Sequence, residues 1–196
     1  MEGAEEARRQ REQLSRYLCW VREEGGVEGP TWLDTIWKPH QQRRLRWLRE
    51  HCVGTVMELG CSWGWVLSFC GGQIGVDHNP HSVALASILS PGREFVVADI
   101  RELPFPDGHV STVMVADCLE HLPWEEVPRA VAEAKRVARR KLLVTVPGGD
   151  GPDATSMKHV WLMTLERMSA LEGMLLPWPT KLETDGDWVL LEAVRP

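Results

Sequence analysis

The chain lacks several features that would place it in a specialised class of protein. Its five cysteines are odd in number and never occur as Cys-x-x-Cys, so neither a disulfide framework nor a cysteine-based zinc site is indicated. No uninterrupted apolar run approaches the roughly 20 residues that a membrane-spanning helix requires. Positive charge is also scarce. The 28 acidic residues outnumber 22 lysines and arginines, and the resulting net charge of −6 disfavours a surface that follows nucleic-acid phosphates.

The start of the chain and its composition predict a cytoplasmic globular protein. The first residues, MEGAEEARRQREQL, are charged from the second position and lack the apolar segment of a secretory signal peptide. Hydrophobic residues make up 43% of the 196 positions, which is enough for a sizeable core in one domain of this length. Ten tryptophans accompany one tyrosine and three phenylalanines. We expect most of them in the core and regard the others as candidates for a ligand pocket.

Apolar segments of strand length alternate with helical patterns through the middle of the chain. The strand candidates are 55–59, 73–77, 94–98, 110–116 and 141–146. The helix candidates are 40–51, 63–70, 80–89, 124–139 and 164–172. Such alternation is typical of right-handed crossovers in a parallel sheet with helices on both faces.

The last part of the chain has a different pattern. In LLPWPTKLETDGDWVLLEAVRP, two strand-like runs are joined around Asp185-Gly186-Asp187, which predicts a β-hairpin. The sequence therefore predicts five parallel strands followed by an antiparallel hairpin. We assign residues 40–196 to this core and residues 1–39 to an N-terminal helical lid or extension, with an amphipathic helix over 5–24.

Four arginines lie in the helix candidate at residues 40–51: Arg43, Arg44, Arg46 and Arg49. An anion-binding surface is one interpretation of this group. A solvated outer face is the simpler one, because the leucines between the arginines occur at the spacing of an inward-facing stripe. We therefore predict that these arginines point into solvent.

An acid near the end of the first strand candidate is followed by two glycines in TVMELGCSWGWVL, residues 55–67. A dinucleotide-binding GxGxxG loop that began at Gly60 would require glycine at two positions that hold Ser62 and Trp65. The observed spacing, acid-x-Gly-x-x-x-Gly, instead favours a ligand that has a bulky uncharged body and a cationic end near Glu58. It also predicts that this ligand comes close to the backbone at the glycines.

Four motifs, taken in order, resemble those of class I S-adenosylmethionine-dependent methyltransferases and in particular of the small-molecule branch called type 11. They are VMELGCSWG, IGVDHNP, VADIRELPFPDG and VADCLEHLP, and the resemblance extends over roughly residues 40–195. It implies a Rossmann-like, doubly wound α/β fold with a mostly parallel seven-stranded sheet and a C-terminal antiparallel hairpin. It also implies S-adenosyl-L-methionine as the cofactor and in-line methyl transfer to oxygen or nitrogen of a small-molecule acceptor.

The resemblance assigns cofactor-binding roles to residues that follow the strand candidates. Asp77 would accept hydrogen bonds from both ribose hydroxyls, Asp99 would accept one from the adenine amino group, and Glu58 would lie near the amino acid end. Loop architecture is the alternative role for Glu58, and capping or turn formation is the alternative for the two aspartates. The full set of cofactor-binding candidates is Glu58, Gly60, Cys61, Gly64, Asp77, His78, Asp99, Ile100, Asp117 and Cys118.

Acceptor binding and catalysis have fewer candidates. His121 in CLEHLP and His159 in MKHVW could act as the general base for a hydroxyl acceptor, and a structural hydrogen bond is the alternative role for His121. Trp32, Trp37 and Trp161 are candidates for an apolar acceptor pocket, with core packing as the alternative for the first two. We expect a loop over 147–160 to close this pocket when substrate binds.

Two other functions remain open at this point. The chain could be a non-catalytic S-adenosylmethionine-binding subunit that supports a partner, or a methyltransferase that acts on a macromolecule. The negative charge and the lack of a basic region disfavour a nucleic-acid substrate. We expect a cytoplasmic monomer or homodimer that acts on a small molecule, without a nucleic-acid or membrane partner and without a bound metal.

Overall fold

The computed structural model describes residues 39–148, 159–161, 163–185 and 188–196. Its helices are α1 (Pro39–His51), α2 (Trp65–Phe69), α3 (Pro80–Leu89), α4 (Val127–Val137) and α5 (Leu165–Leu175). Its strands are β1 (Val56–Leu59), β2 (Ile74–Asp77), β3 (Glu94–Val97), β4 (Val110–Ala116), β5 (Ala138–Pro147), β6 (Thr180–Asp185) and β7 (Trp188–Val194). Two short 3₁₀ turns, Leu119–His121 and Trp124–Glu126, connect β4 to α4.

The seven strands form one sheet in the order β3-β2-β1-β4-β5-β7-β6. The first five are parallel, and β7 is antiparallel to both β5 and β6. This confirms the predicted doubly wound α/β fold with its C-terminal hairpin. The chain builds the sheet outward from β1 to β3 and then returns to place β4 on the other side of β1. A topological switch point therefore lies between the carboxyl ends of β1 and β4, where open α/β sheets bind their ligands.

Side-chain alternation along the central strands divides the core into two layers. Val113 and Val115 of β4 belong to the larger layer, which α4 and α5 cover. Met114 and Ala116 belong to the smaller layer, which α1 covers. Because successive strand residues point to opposite faces, any polar residue in register with Met114 must lie beneath α1.

The predicted helix and strand limits hold within a few residues. Asn79 is the N-cap of α3, since its side chain accepts a hydrogen bond from the backbone N–H of His81 at 3.0 Å. The helix predicted over 124–139 is shorter, because it starts after a 3₁₀ turn and stops where Ala138 adopts an extended backbone and pairs with Val110. The strand that follows is correspondingly longer than predicted.

Several predictions lie outside the described residues. These are the lid or extension over 1–39 except for its last residue, its pocket candidates Trp32 and Trp37, and nearly all of the loop over 147–160. The ends of the hairpin are described, and Asp185 of β6 pairs with Trp188 of β7. Within the described ranges, no helix has the length and apolar character that a bilayer crossing demands.

Candidate active site

A cavity of about 530 Å³ opens at the switch point, beyond the carboxyl ends of the parallel strands. This volume falls within the roughly 300–1,000 Å³ of small-molecule sites. Strand-end loops form most of its wall, and α1 and β7 complete it. The predicted residues in the wall are Glu58, Gly60, Cys61, Asp77, His78, Asp99, Ile100, Asp117, Cys118, His121 and His159.

Two predicted site residues do not line the cavity, and their roles are corrected. Gly64 precedes α2 at a φ of 72°, and a Cβ at this position would lie 2.6 Å from Cε1 of Phe95. Trp161 is buried in the core, where its indole N–H donates to the Leu122 backbone carbonyl at 2.8 Å. Its ring also meets that of Trp124 edge to face. Both residues therefore serve packing within the fold.

Gly60 has an internal reason for lacking a side chain. Its φ is 73°, and a Cβ there would lie 2.3 Å from Sγ of Cys118. The close approach that the sequence predicted is thus made by the loop after β4, and no ligand is needed to explain it. Burial raises the pKa of the Cys118 thiol, so this group stays protonated and is a poor nucleophile.

Asp77 ends β2 and organises the loops around it. Its Oδ2 accepts a hydrogen bond from the backbone N–H of Ser62 at 2.8 Å, and its Oδ1 accepts one from that of Asn79 at 2.9 Å. Each carboxylate oxygen keeps a second acceptor position. The neighbouring His78 is exposed at the rim, with Nδ1 3.6 Å from Oδ1 of Asp77. The carboxylate is therefore held in place and can still bind a diol.

Glu58 is a buried carboxyl group in the wall of the cavity. Val56 packs in the layer beneath α1, so the two-residue period of β1 places Glu58 on the same side. The backbone N–H of Leu67 donates to this carboxyl group, but its Oε2 has no hydrogen-bond partner among the described residues. Burial raises the pKa of Glu58 well above its ordinary value. A cationic ligand group would supply the missing partner and favour the ionised form.

Asp99 follows β3 and is already paired at the rim of the cavity. Its Oδ1 accepts hydrogen bonds from Nε and from the backbone N–H of Arg101, both at 2.8 Å. The same guanidinium group also contacts Glu126. The hydrogen bonds from the Arg101 side chain lower the pKa of Asp99 to about 2. Sequence reasoning identified Asp99 but missed Arg101, and the buried Ile100 lies in the wall between them.

The predicted solvated face of α1 is wrong for Arg44, which is 5% exposed. Its NH1 lies 2.6 Å from Oδ2 of Asp117 and donates to Oγ1 of Thr145 at 3.3 Å. Its guanidinium group also lies over the Trp188 ring, 4.5 Å from the ring centroid. Arg44 and Leu48 are four positions apart and so share the inward face of the helix. In the sequence, the four-residue spacing between Arg44 and Leu48 was the one signal that could have predicted the burial of Arg44.

Asp117 turns the chain at the end of β4 in a left-handed backbone conformation, with a φ of 52°. Its backbone N–H donates to the Thr145 carbonyl at 2.9 Å, and its Oδ1 accepts from the Thr145 hydroxyl at 2.8 Å. Burial raises the pKa of Asp117, whereas the adjacent Arg44 guanidinium acts in the opposite direction. Contacts with β5 and α1 therefore hold this strained residue against the cavity.

Glu120 was not identified from the sequence, yet it lies close to both candidate bases. It is 1% exposed, and neither carboxylate oxygen accepts a hydrogen bond from another residue in the described part of the chain. Burial raises its pKa well above the ordinary value. The rings of His121 and His159 meet edge to face with centroids 5.1 Å apart. The structure thus brings together two histidines that the sequence offered as alternatives.

The cavity wall has an excess of acidic groups. Among the described residues, five carboxyl groups line it, those of Glu58, Asp77, Asp99, Asp117 and Glu120, against the two guanidinium groups of Arg44 and Arg101. Both guanidinium groups are paired with carboxylates of the wall. The unpaired groups are acids, so the cavity is suited to a ligand that carries positive charge.

Comparison with known proteins shows that the sequence of this chain is similar to those of methyltransferases. Residues 57–144 match a family model described as a methyltransferase domain. Two Mycobacterium tuberculosis proteins, one from each of two strains, carry the name "Probable S-adenosylmethionine-dependent methyltransferase" and are 30% identical to this chain over 134 residues. That alignment covers 61% of this chain and 48% of each relative, so the chain spans about half the length of these relatives.

Solved structures share the fold at lower identity. A Thermotoga maritima S-adenosylmethionine-dependent methyltransferase, described as a possible histamine N-methyltransferase, has a TM-score of 0.68 at 13% identity, over 84% of this chain and 95% of that one. The Synechocystis magnesium protoporphyrin IX methyltransferase with bound SAH has a TM-score of 0.63 at 20% identity, over 93% and 94%. The [4+2]-cyclase SpnF has a TM-score of 0.64 at 17% identity, over 82% of each chain.

Proposed function

We propose that this chain is a class I S-adenosylmethionine-dependent methyltransferase, which binds S-adenosyl-L-methionine in the cavity and transfers its methyl group to a small molecule. The observation that carries the proposal is the row of acidic groups at the strand ends, where Glu58 lies next to the end of β1, Asp77 ends β2 and Asp99 follows β3. These residues occupy the positions to which the family's ordered motifs assign cofactor contacts.

The chemistry of the cavity wall fits this cofactor. Glu58 offers a buried carboxylate oxygen without a partner among the described residues, which suits a cationic group. Asp77 keeps free acceptor positions on both oxygens, which suits the two hydroxyls of a ribose. Ile100 gives the wall an apolar surface on which a ring can pack. A ligand with a positive charge, a diol and an aromatic ring would use all three.

The protein's part in such a reaction is positioning. When bound, the cofactor supplies an activated methyl group on a positively charged sulfur. Asp77 and Glu58 would hold the two polar regions of the ligand, so that its reactive end lies near Asp117 and Cys118. Fixed placement of this kind lowers the entropic part of the barrier for a displacement that requires an in-line approach.

The acceptor would bind at the end of the cavity that His121 and His159 border. Both imidazoles lie beyond the carboxyl end of β4, next to the expected position of the methyl group. An imidazole can accept the proton of a hydroxyl acceptor near neutral pH, whereas an amine acceptor can lose its proton to water. An oxygen or nitrogen acceptor of small size is therefore part of the proposal.

The proposal includes the setting in which the protein works. The net charge of −6 supports a small-molecule acceptor over a nucleic acid. We place the protein in the cytoplasm as a monomer or homodimer, without a membrane partner. Size-exclusion chromatography with light scattering on the purified chain measures the oligomeric state directly.

Titration calorimetry with S-adenosylmethionine and with its demethylated product tests the proposal. We expect one binding site per chain for each ligand. Incubation with pools of small molecules should then release the demethylated product when an acceptor is present. Folded protein that gives no heat with either ligand would contradict the proposed function. Tight binding without turnover on any pool would instead indicate a non-catalytic cofactor-binding subunit.

A further inference from the structure

Glu120, His121 and His159 form a compact cluster at the acceptor end of the cavity. The first two belong to the 3₁₀ turn after β4, and the third precedes α5. One potential ligand atom from each of the three residues lies within 4.8 Å of the other two. One carboxylate and two imidazoles are a ligand set that divalent transition metals bind in many proteins.

The environment of the Glu120 carboxyl group is suited to a cationic partner. It is 1% exposed, and neither of its oxygens accepts a hydrogen bond from another residue within the ranges that the structure covers. Arg44, a cation in the same wall, directs its guanidinium group to Asp117 and Thr145. A buried carboxylate without a counter-charge destabilises a fold. A bound cation would remove that penalty.

Backbone contacts hold the two segments of the cluster together without any metal. The backbone N–H of Val160 donates to the backbone carbonyl of Glu120 at 2.9 Å, and the backbone N–H of His121 donates to the Cys118 carbonyl at 3.1 Å. Ligand atoms on one metal ion lie about 2.0–2.2 Å from it. The exposed His121 ring and the half-buried His159 ring are the parts of the cluster that would have to turn for all three ligand atoms to reach that distance from one ion.

We propose that Glu120, His121 and His159 bind one divalent transition-metal cation, and that this cation holds the oxygen of a hydroxyl-bearing acceptor beside the transferred methyl group. The site stands on the three residues alone, whereas its role rests on the proposed methyl transfer. Three protein ligands leave coordination positions open for an acceptor oxygen. The cysteine spacing, which excluded a cysteine-based zinc site, does not bear on a site of this composition.

With the cation bound, the two histidines would act as metal ligands and not as general bases. A hydroxyl bound to a divalent metal is more acidic than a free one, so its proton can pass to solvent water. The acceptor O–H bond then breaks, the oxygen forms a bond to the methyl carbon, and the carbon–sulfur bond breaks with its electron pair on sulfur. In this arrangement both imidazoles are metal ligands and neither is the general base.

Cobalt(II) titration of the purified, metal-free chain tests the site. We expect one equivalent of Co²⁺ to bind, with visible absorption bands typical of nitrogen and oxygen ligands and a matching heat in calorimetry. Glu120→Gln and His159→Ala should each weaken Co²⁺ binding at least tenfold. Glu102→Gln and His109→Ala change exposed residues outside the cluster and should leave it unchanged. Circular dichroism and thermal unfolding verify that each variant folds.

The outcomes test the metal site and its role in acceptor binding separately. Failure of Co²⁺ to bind, or equal binding to wild type and both cluster variants, overturns the proposal. Acetohydroxamate, an oxygen chelator, should shift the Co²⁺ bands if coordination positions are open to an acceptor, and unchanged bands overturn the role in acceptor binding. Calorimetry with S-adenosylmethionine on the same samples is independent of these results. Cofactor binding without Co²⁺ binding leaves the proposed function intact and refutes the cation.

Discussion

The two ends of the cavity are assembled in different ways. At the end formed by β1, β2 and β3, each functional acid lies at or close to the carboxyl end of its own strand, as Asp77 does at the end of β2. At the end formed by β4 and β5, the groups come from segments far apart in the chain, and Arg44 of α1 reaches Asp117 after β4. The first end is a set of local motifs, whereas the second exists only when the tertiary structure is complete.

The two ends also differ in how their carboxyl groups are stabilised. Backbone amides satisfy the carboxylate of Asp77, one from Asn79 in the same loop and one from Ser62 in the loop after the neighbouring strand β1. At the other end, Arg44 satisfies Asp117, and Glu120 has no partner among the residues the structure describes. Changes at the first end should therefore act mainly on ligand affinity, and changes at the second mainly on stability.

The largest expected effect is at the second end. Arg44→Met should lower the free energy of unfolding by about 3 kcal/mol, because it leaves Asp117 without its cation. This is the lower end of the range for a buried ion pair, since the Asp117 side chain is 27% exposed. Urea denaturation measures the change. Arg43→Met is the matched control on the same helix, where Arg43 pairs with Asp185 at the surface and should matter little. Equal losses of unfolding free energy in the two variants would show that the buried Arg44 stabilises the fold no more than the surface Arg43 does.

At the first end, Asp77→Ala should weaken binding of the demethylated cofactor about a hundredfold, roughly 3 kcal/mol, because two charge-assisted hydrogen bonds are lost. Calorimetry measures the affinity, and thermal unfolding checks that the loops held by Asp77 remain folded. Asp77→Asn keeps one acceptor oxygen and should lose less. Asp107→Ala, which removes an exposed partner of Arg136, is the control. An unchanged dissociation constant in the alanine variant would exclude Asp77 as a ligand contact.

Gly60 lies where the two ends meet, and its replacement tests their contact. Gly60→Ala should destabilise the protein by about 2 kcal/mol, from overpacking against Cys118 and from a left-handed backbone. In a Cys118→Gly background the overpacking is absent, and the added cost should fall to about 1 kcal/mol. A double-mutant cycle measures the coupling. Strictly additive losses would show that the two loops do not constrain each other.

The smallest expected effect concerns Glu58, whose folded-state pKa is raised by burial. A raised pKa means that the carboxyl group costs nothing at low pH and destabilises the fold as pH rises through that pKa. Glu58→Gln mimics the neutral form, so it should stabilise the ligand-free protein by about 1 kcal/mol at pH 8 and hardly at all at pH 4. It should also weaken S-adenosylmethionine binding. Thermal unfolding at both pH values measures the change in stability. A stability gain that is larger at pH 4 than at pH 8 would contradict this prediction.

The sequence was sufficient for the fold and for the first end of the cavity. Apolar runs located the strands, and the resemblance to the methyltransferase family then assigned cofactor contacts to Glu58, Asp77 and Asp99, in agreement with the rule that parallel sheets bind ligands at strand carboxyl ends. The glycines were identified for a different reason from the observed one, because Gly60 is constrained by the side chain of Cys118, and sequence spacing does not reveal such a contact.

The second end could not be predicted in the same way. An arginine on the inward face of a helix is normally expected in solvent, and its burial depends on a carboxylate that only the folded chain brings near. Arg44 therefore fell among the solvated residues. Glu120 was passed over beside His121, although an acid within the apolar motif CLEHLP was a visible signal. Its proximity to His159 depends on how the segment before α5 returns to the sheet.

The antiparallel direction of β7 also affects the order in which the site can form during synthesis. Trp188, the first residue of β7, lies beside Pro147 at the carboxyl end of β5 and beneath the guanidinium group of Arg44. A ribosome delivers this tryptophan after every other residue of the cavity wall. Until β7 emerges, β5 has an open edge and Arg44 lacks its aromatic support. The nascent chain can thus complete its parallel strands while its ligand site is still unfinished.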